Sequence, residues 1–232
     1  EAPSIDAEAI IMLMRFFEKV GIPASSMELL VNSMGDPSCR PAYREKVRRF
    51  ILDHADEMCD ECAVRADTNP LRAFDCKNGQ CAAVMAGAPK ITDHLCDDCR
   101  EHYDAVKALL DGAGVAYEED YKLVRGLDYY TRTVFEVQVT SGMGSQSAIG
   151  GGGRYDGLME LEGGKPTPGI GFAVGFERIM LALEDQGVDL AGPEPSCVYV
   201  ACAAPGCRDA VFSACLALRR AGVRVEADYQ GR

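Results

Sequence analysis

No stretch of the 232-residue chain stays apolar long enough to cross a bilayer, and nothing at its start reads as a cleavable leader, so a soluble protein is expected. Positive charge is scarce. Lysine and arginine number 24 against 36 aspartates and glutamates, a formal net charge of −12, which argues against a nucleic-acid footprint spread over the whole surface. Any polyanion would have to be met by a local basic patch. The glycine-rich region has neither the lysine and Ser/Thr of a P-loop nor the spacing of a dinucleotide fingerprint. The rest is ordinary globular composition, 47% hydrophobic and 26% charged, on a length that allows one large domain or two small ones. Cysteine is the exception. There are eleven, an odd number, and they cluster, which reads as reduced thiols with metal-binding capacity and not as a disulfide framework.

Apolar residues Ile10, Leu13, Met14 and Phe17 recur at helical spacing, and Gly21-Ile22-Pro23 closes the helix they predict. A short strand over residues 27–31 and turn chemistry over 32–37 follow. The pattern of residues 41–56 is helical, with Pro41 at its start. Arg40, Arg44, Lys46, Arg48 and Arg49 stand there against Glu45 alone, a local excess that suits either a solvated helix face or a phosphate-contacting patch. Six cysteines come next, as Cys59-x2-Cys62, Cys76-x4-Cys81 and Cys96-x2-Cys99. Thiolates are soft ligands, and two close pairs complete a tetrahedral zinc site that holds a fold together without doing chemistry. The span between Cys76/Cys81 and Cys96/Cys99 favours that set of four, with Cys59 and Cys62 as alternatives. His94 and His102 flank the last pair and read as solvent-facing, with ligation as the alternative. A further helix is capped by Asp97 or Asp98, carries Val106, Leu109 and Leu110, and ends at Gly112 and Gly114.

Residues 123–139 carry the densest chemistry. Arg125, Tyr129 and Tyr130 lie within six residues and run into a β-favouring stretch. Period-two alternation sends Val134, Glu136 and Gln138 to one face, toward a cleft, and Phe135, Val137 and Val139 to the other. Two phenol hydroxyls suit a small polar ring with donor and acceptor sites, and a guanidinium beside them suits a carboxylate or phosphate. Downstream, Gly150, Gly151, Gly152 and Gly153 allow a ligand to approach bare backbone, although such a run by itself also fits a flexible loop. Arg154 and Tyr155 then add a cation and a hydroxyl. Arg178 falls in the first turns of a helix that follows a glycine-punctuated strand, a place for an anionic or π-rich ligand. After a proline-containing boundary at 189–195, a strand from Cys197, a helix over 209–221 and a strand over 223–225 open a β-α-β unit.

Four stretches, LVRGLDYYTRTVFEV, GSQSAIGGGGRYDG, PGIGFAVGFER and TNPLRAFDCKN, together resemble the histidyl-tRNA synthetases, which are class II aminoacyl-tRNA synthetases. The resemblance runs over essentially the whole chain. It implies an α+β fold: a class II antiparallel sheet with flanking helices, a mainly helical insertion, and the start of an α/β anticodon-binding domain. The implied division is core at 1–35 and 119–190, insertion at 36–118, and linker with anticodon-binding segment at 191–232.

The resemblance also implies activation of histidine by ATP with Mg2+, then transfer to tRNA(His), in a cytoplasmic enzyme that is a homodimer at full length. Arg125 matches the arginine bridging the histidine carboxylate and the α-phosphate. Tyr130 and Tyr155 match hydroxyls around the substrate, Tyr129 packs the pocket, and Gly151, Gly152 and Gly153 line it. Arg178 matches the motif 3 arginine at ATP. Motifs 1 and 2 have no counterpart in the sequence and would lie before Glu1, so an internal fragment without pyrophosphate-exchange activity of its own is the expectation. A histidine-binding regulatory paralogue of ATP phosphoribosyltransferase competes with this reading, but would be expected to lack the insertion and catalytic groups. A zinc-dependent nucleic-acid module built on residues 59–99 is the third alternative.

Overall fold

The computed structural model describes residues 2–124, 129–140, 142, 147–188, 190, 196–202, 204 and 206–228, and the chain divides into two compact units, residues 1–188 and 189–232. In the first unit, helix α1 (Pro3–Val20) buries Ile10, Leu13, Met14 and Phe17 and stops at Gly21, whose φ of 108° a side chain would resist. Strand β1 (Met27–Ser33) runs two residues past the expected 27–31. Asn32 and Ser33 are turn formers by propensity, but here the Asn32 amide donates to the Leu123 carbonyl at 3.1 Å, which removes the reason to turn.

Residues 34–117 are helical: α2 (Arg40–Asp53), α3 (Asp60–Thr68), α4 (Gly79–Met85) and α5 (Asp97–Gly112), joined by short 3-10 turns. Helix α5 starts one residue earlier than its acidic residues suggest; Cys96, not an aspartate, is the N-cap. Strands β2 (Glu118–Glu119), β3 (Thr131–Val139), β4 (Ala148–Arg154) and β5 (Ile170–Val174) complete a sheet in the order β2-β1-β3-β4-β5, antiparallel except between β1 and β2. The short α6 (Leu158–Leu161) precedes β5, and α7 (Phe176–Asp185) follows it.

The glycine run is a strand and not a loop. β4 lies between β3 and β5, with Phe135 opposite Gly152 and Gly151 opposite Ala173. A Cβ on Gly152 would strike the Gly171 carbonyl, and one on Gly150 would come within 2.8 Å of the Phe17 ring. Close approach by neighbours on both sides therefore selects glycine over any strand-favouring residue.

The sheet has two differently used faces. Phe135 and Val137 point toward the side covered by α1 and α5, where Asp6, His102 and Arg154 meet in the core. Leu30, Val134 and Tyr130 point the other way and share a continuous core with Tyr43, Val47, Ile51, Cys62, Cys81 and Cys99 of the helical segment. The helical segment thus has no separate core; it is packed onto the sheet.

The second unit contains β6 (Val198–Val200), α8 (Arg208–Arg220) and β7 (Val225–Ala227), with β6 parallel to β7. The last strand begins two residues later than expected. Cys202 and Cys207 form a disulfide with Cα atoms 5.7 Å apart, which corrects the reading of every cysteine as a reduced thiol. The pair spans a turn in which the Cys207 N–H donates to the Ala204 carbonyl, so four intervening residues bring the sulfurs together. Among the described residues no helix is long and apolar enough to cross a membrane.

Candidate functional site

Three tyrosines gather on the face of the sheet that α1 does not cover. The Tyr129 and Tyr130 rings are 4.8 Å apart, and Tyr129 meets Tyr155 edge-on at 6.1 Å. Glycines make the room. A Cβ on Gly153 would sit 2.8 Å from the Tyr130 ring, and one on Gly169 would sit 2.5 Å from the Tyr155 ring. A Cβ on Gly171 would lie 2.8 Å from the Tyr155 hydroxyl oxygen. The Tyr155 N–H donates to the Gly169 carbonyl at 2.7 Å, which fixes the turn from β4 back to β5. Tyr129, Tyr130, Tyr155 and Gly153 are therefore brought together as the sequence suggests. Gly151 and Gly152 lie in the same strand, and Gly152 is turned toward β5. Arg125, assigned the central role, lies outside the described residues.

Further along the same face is a cavity of about 420 Å3 lined by Glu136, Gln138, Ser147, Asp75, Lys77 and Arg178, among others. The polar alternation along β3 does look into a cleft. Ser147 Oγ donates to Gln138 at 3.1 Å and the Gln138 amide donates to Glu136 at 2.8 Å, a chain that orients both polar side chains. Arg178, in the first turn of α7, is exposed and donates from Nη1 to the Ala148 carbonyl at 2.7 Å. Asp75 and Lys77 come from the helical segment. Burial holds the Asp75 carboxyl above its usual range, although Arg72 and Lys77 pull it down. Both residues lie inside the stretch TNPLRAFDCKN, and that family resemblance is the signal in the sequence by which they could be found.

Arg154 does not serve the site. It is on the opposite face of β4, 2% exposed, paired with Asp6 and, at 2.8 Å, with Asp156. His102 is not solvent-facing either: buried in α5, it donates to Asp6 at 2.8 Å. The basic stretch at 40–49 is largely consumed by internal partners. Arg40 turns inward to the carbonyls of Met34, Gly35 and Tyr130, Arg48 pairs with Asp67 at 2.8 Å, and Arg49 pairs with Glu45 at 2.9 Å.

The cysteines regroup. Cys76 and Cys81 do not join Cys96 and Cys99. They join Cys59 and Cys62, the four sulfurs lying within 4.8 Å of one another and Cys59 and Cys76 at 3.9 Å. Cys96 and Cys99 instead meet Asp36 and Cys39. The physical reason is that α4 and the turn after it carry the chain away between Cys81 and Cys96, while the turn at Pro70–Asp75 folds Cys76 back onto the start of α3. In the first cluster the Cys59 N–H donates to Cys81 Sγ at 3.2 Å. Hydrogen bonds from Cys62 and Cys81 hold the Cys59 thiol down at about 7, while burial pushes Cys62 up.

A family model for histidyl-tRNA synthetase matches residues 3–179. The chain is 45% identical over 230 residues to the histidine–tRNA ligase of Desulforamulus reducens, covering 99% of this chain and 54% of that protein. It is 46% identical over 231 residues to that of Desulfatibacillum aliphaticivorans, covering 100% and 54%. The chain thus spans about half the length of the curated relatives it matches. Among solved structures, apo histidyl-tRNA synthetase of S. aureus superposes with a TM-score of 0.68 at 36% identity, over 100% of this chain and 56% of that one. With an α+β sheet of this topology, a tyrosine–glycine site on its open face and a family match across most of its length, the chain belongs to the histidyl-tRNA synthetases.

Proposed function

We propose that this chain is the histidine-recognising and motif 3-bearing part of a histidine–tRNA ligase. The observation that carries the reading is the convergence of Tyr129, Tyr130 and Tyr155 over glycine backbone, on the sheet face that also bears the Glu136–Arg178 cavity. A pocket floored by backbone and walled by phenols fits a small ring carrying one donor and one acceptor, which is imidazole. In the reaction a histidine carboxylate oxygen attacks the α-phosphorus of ATP and the bond to pyrophosphate breaks. A ribose hydroxyl at the tRNA 3′ end then attacks the activated carbonyl and releases AMP. The protein supplies position and charge.

Arg125 bridges the carboxylate and the α-phosphate, and its charge offsets that of the pentavalent transition state. Tyr130 and Tyr155 hold the substrate histidine, Tyr129 packs behind them, and Gly151–Gly153 form the floor. Arg178 meets the ATP phosphates and adenine. The carboxylates of Glu136 and Asp75, hard oxygen donors in the Arg178 cavity, would hold the Mg2+ that accompanies ATP, which would supply neutralisation of phosphate charge. Residues 36–118 are an insertion, which lies against the tRNA acceptor arm in the whole enzyme, and 191–232 open an anticodon-binding domain. Homodimerisation at full length and action on tRNA(His) in the cytoplasm belong to the same reading.

The cluster Cys59, Cys62, Cys76 and Cys81 fits a structural zinc. Bonds of about 2.3 Å in a tetrahedron place sulfurs roughly 3.8 Å apart, and Cys59 and Cys76 already stand at 3.9 Å. The ion would fasten α3, the Pro70–Asp75 turn and α4.

Calorimetric titration of the full-length protein with histidine and close analogues tests the recognition. Imidazole-bearing ligands should bind at least about 100-fold more tightly than ring-replaced ones, because unpaired pocket groups each cost roughly 1–3 kcal/mol. Equal binding of a non-imidazole amino acid would sink the proposal.

A further inference from the structure

A second convergence of metal-ligating groups lies between the loop that leaves β1 and the start of α5. One carboxylate oxygen of Asp36 and the sulfurs of Cys39, Cys96 and Cys99 all lie within 4.8 Å of one another. The arms are Asp36-x2-Cys39 and Cys96-x2-Cys99, far apart in sequence, each with the two-residue gap that brings paired ligands to one side of a turn. Cys39 is the N-cap of α2 and Cys96 the N-cap of α5, so two helix N-termini face the cluster and favour anionic sulfur.

The surroundings are built to hold ligands in place. Asp36 Oδ1 accepts the Ser38 N–H at 2.9 Å, the Cys39 N–H at 3.2 Å and the Ser38 hydroxyl at 2.5 Å, so the carboxylate cannot swing away. The Asp36 N–H donates to Cys39 Sγ at 3.4 Å, a bond of the kind that Cys59 makes to Cys81 in the first cluster. Gly35 has a φ of 62°, and a side chain there would come within 2.7 Å of Cys39 Sγ; the loop wraps the sulfur too closely for any other residue. Both Asp36 carboxylate oxygens stand 3.9 Å from Cys96 Sγ. Bonds of about 2.3 Å to sulfur and 2.1 Å to oxygen imply ligand separations of roughly 3.6–3.8 Å, a contraction of at most about 1.2 Å from the 4.8 Å within which the four atoms lie.

We propose that Asp36, Cys39, Cys96 and Cys99 bind a second zinc-class divalent ion, through three thiolates and one carboxylate. Three soft sulfurs exclude magnesium and calcium as preferred occupants, and four protein ligands leave no open position, so the ion is structural. It fastens the N-terminus of α5 to the loop at 34–40. That loop is in turn bound to the entry of β3. Arg132, at φ 51°, exchanges backbone hydrogen bonds with Met34 and Gly35 at 2.6 and 2.7 Å, and Arg40 reaches the Tyr130 carbonyl. The ion therefore braces the backbone that carries Tyr130. The binding claim rests on the cluster alone; only its bearing on histidine recognition depends on the ligase reading.

The test is elemental analysis of the chain purified without chelator, beside Cys39→Ser, Asp36→Asn and Cys62→Ser. About two zinc per chain are expected, falling to about one in Cys39→Ser and in Cys62→Ser, and to none in the double variant. Asp36→Asn should weaken the second ion by about 10-fold or more in competition with a chromogenic chelator. No zinc in the wild type, or a count in Cys39→Ser equal to that of the wild type, overturns the proposal. So does a disulfide among Cys39, Cys96 and Cys99 in the freshly isolated chain. Should Cys39→Ser fail to fold, cobalt(II) loading of the wild type decides: thiolate-to-cobalt absorption must correspond to the four sulfurs of the first cluster plus three of the second, not four alone. None of these readouts involves histidine or ATP, so failure of the ligase reading would leave them unchanged.

Discussion

Arg154 and Asp6, 148 residues apart, form an ion pair inside the core, with the arginine 2% exposed and the aspartate not exposed at all. His102 and Asp156 complete it, so α1, α5, β4 and the turn after β4 are joined by one charged network. Removing one partner strands the other. Asp6→Ala should destabilise the first unit by about 3–5 kcal/mol, while Asp6→Ala with Arg154→Met should recover most of that loss. Urea denaturation of the three proteins checks it, and equal losses in both variants would contradict it.

The same aspartate sets an acid limit. Burial pushes the Asp6 carboxyl up, but hydrogen bonds from His102 and Arg154 outweigh it and hold the group below its usual range. A carboxylate depressed by folding contributes stability that is present above the unfolded value, about 3.9, and is lost as pH falls through the lower folded value. The chain should therefore lose stability steeply below about pH 4, and Asp6→Asn, already weakened at pH 7, should show a shallower acid limb. Thermal melts between pH 3 and 7 make the comparison.

Two glycines on adjacent strands should fail differently. Gly152→Ala drives a methyl into the Gly171 carbonyl and breaks the β4–β5 ladder, so a stability loss of about 2 kcal/mol or more is expected. Gly171→Ala meets the Tyr155 hydroxyl, the end of a side chain that can shift. It should leave the melting temperature within a few degrees and weaken histidine binding by full-length protein roughly 3- to 10-fold, the worth of one displaced hydrogen bond.

Tyr130→Phe removes a hydroxyl and keeps the ring that packs against Gly153. Stability should change by less than about 1 kcal/mol, while kcat/KM for histidine in full-length enzyme should fall roughly 5- to 150-fold. The KM for ATP should stay put. A parallel rise in both KM values would mean that the Tyr130 hydroxyl does not contact the histidine.

Much of this arrangement could be read beforehand wherever side-chain periodicity and burial agree. Helices α1, α2 and α5 followed from apolar spacing, and β3 from its alternation. What could not be read depended on partners distant in sequence. β4 has almost no side chains to carry a pattern, and only its position between β3 and β5 makes it a strand. The cysteine pairing defeated sequence proximity because Cys59 and Cys62 return to Cys76 and Cys81, and because Asp36 and Cys39 lie outside the interval that the six cysteines mark. His102 was legible in hindsight: Cys99, His102, Tyr103, Val106 and Leu110 form one buried stripe on α5. In the sequence Arg154 reads only as a further cation beside Tyr155; the alternation of strand residues between faces turns it into the core.

A strand made of glycine has no depth. On one side of β4 the Phe17 ring rests directly against the peptide planes, and on the other Tyr130 does the same, so the interior and the tyrosine cluster share a wall one backbone thick. Shaving Phe17 to leucine, a change far from any substrate by ordinary reckoning, should be felt across that wall as altered amino-acid selectivity before it registers as a loss of fold.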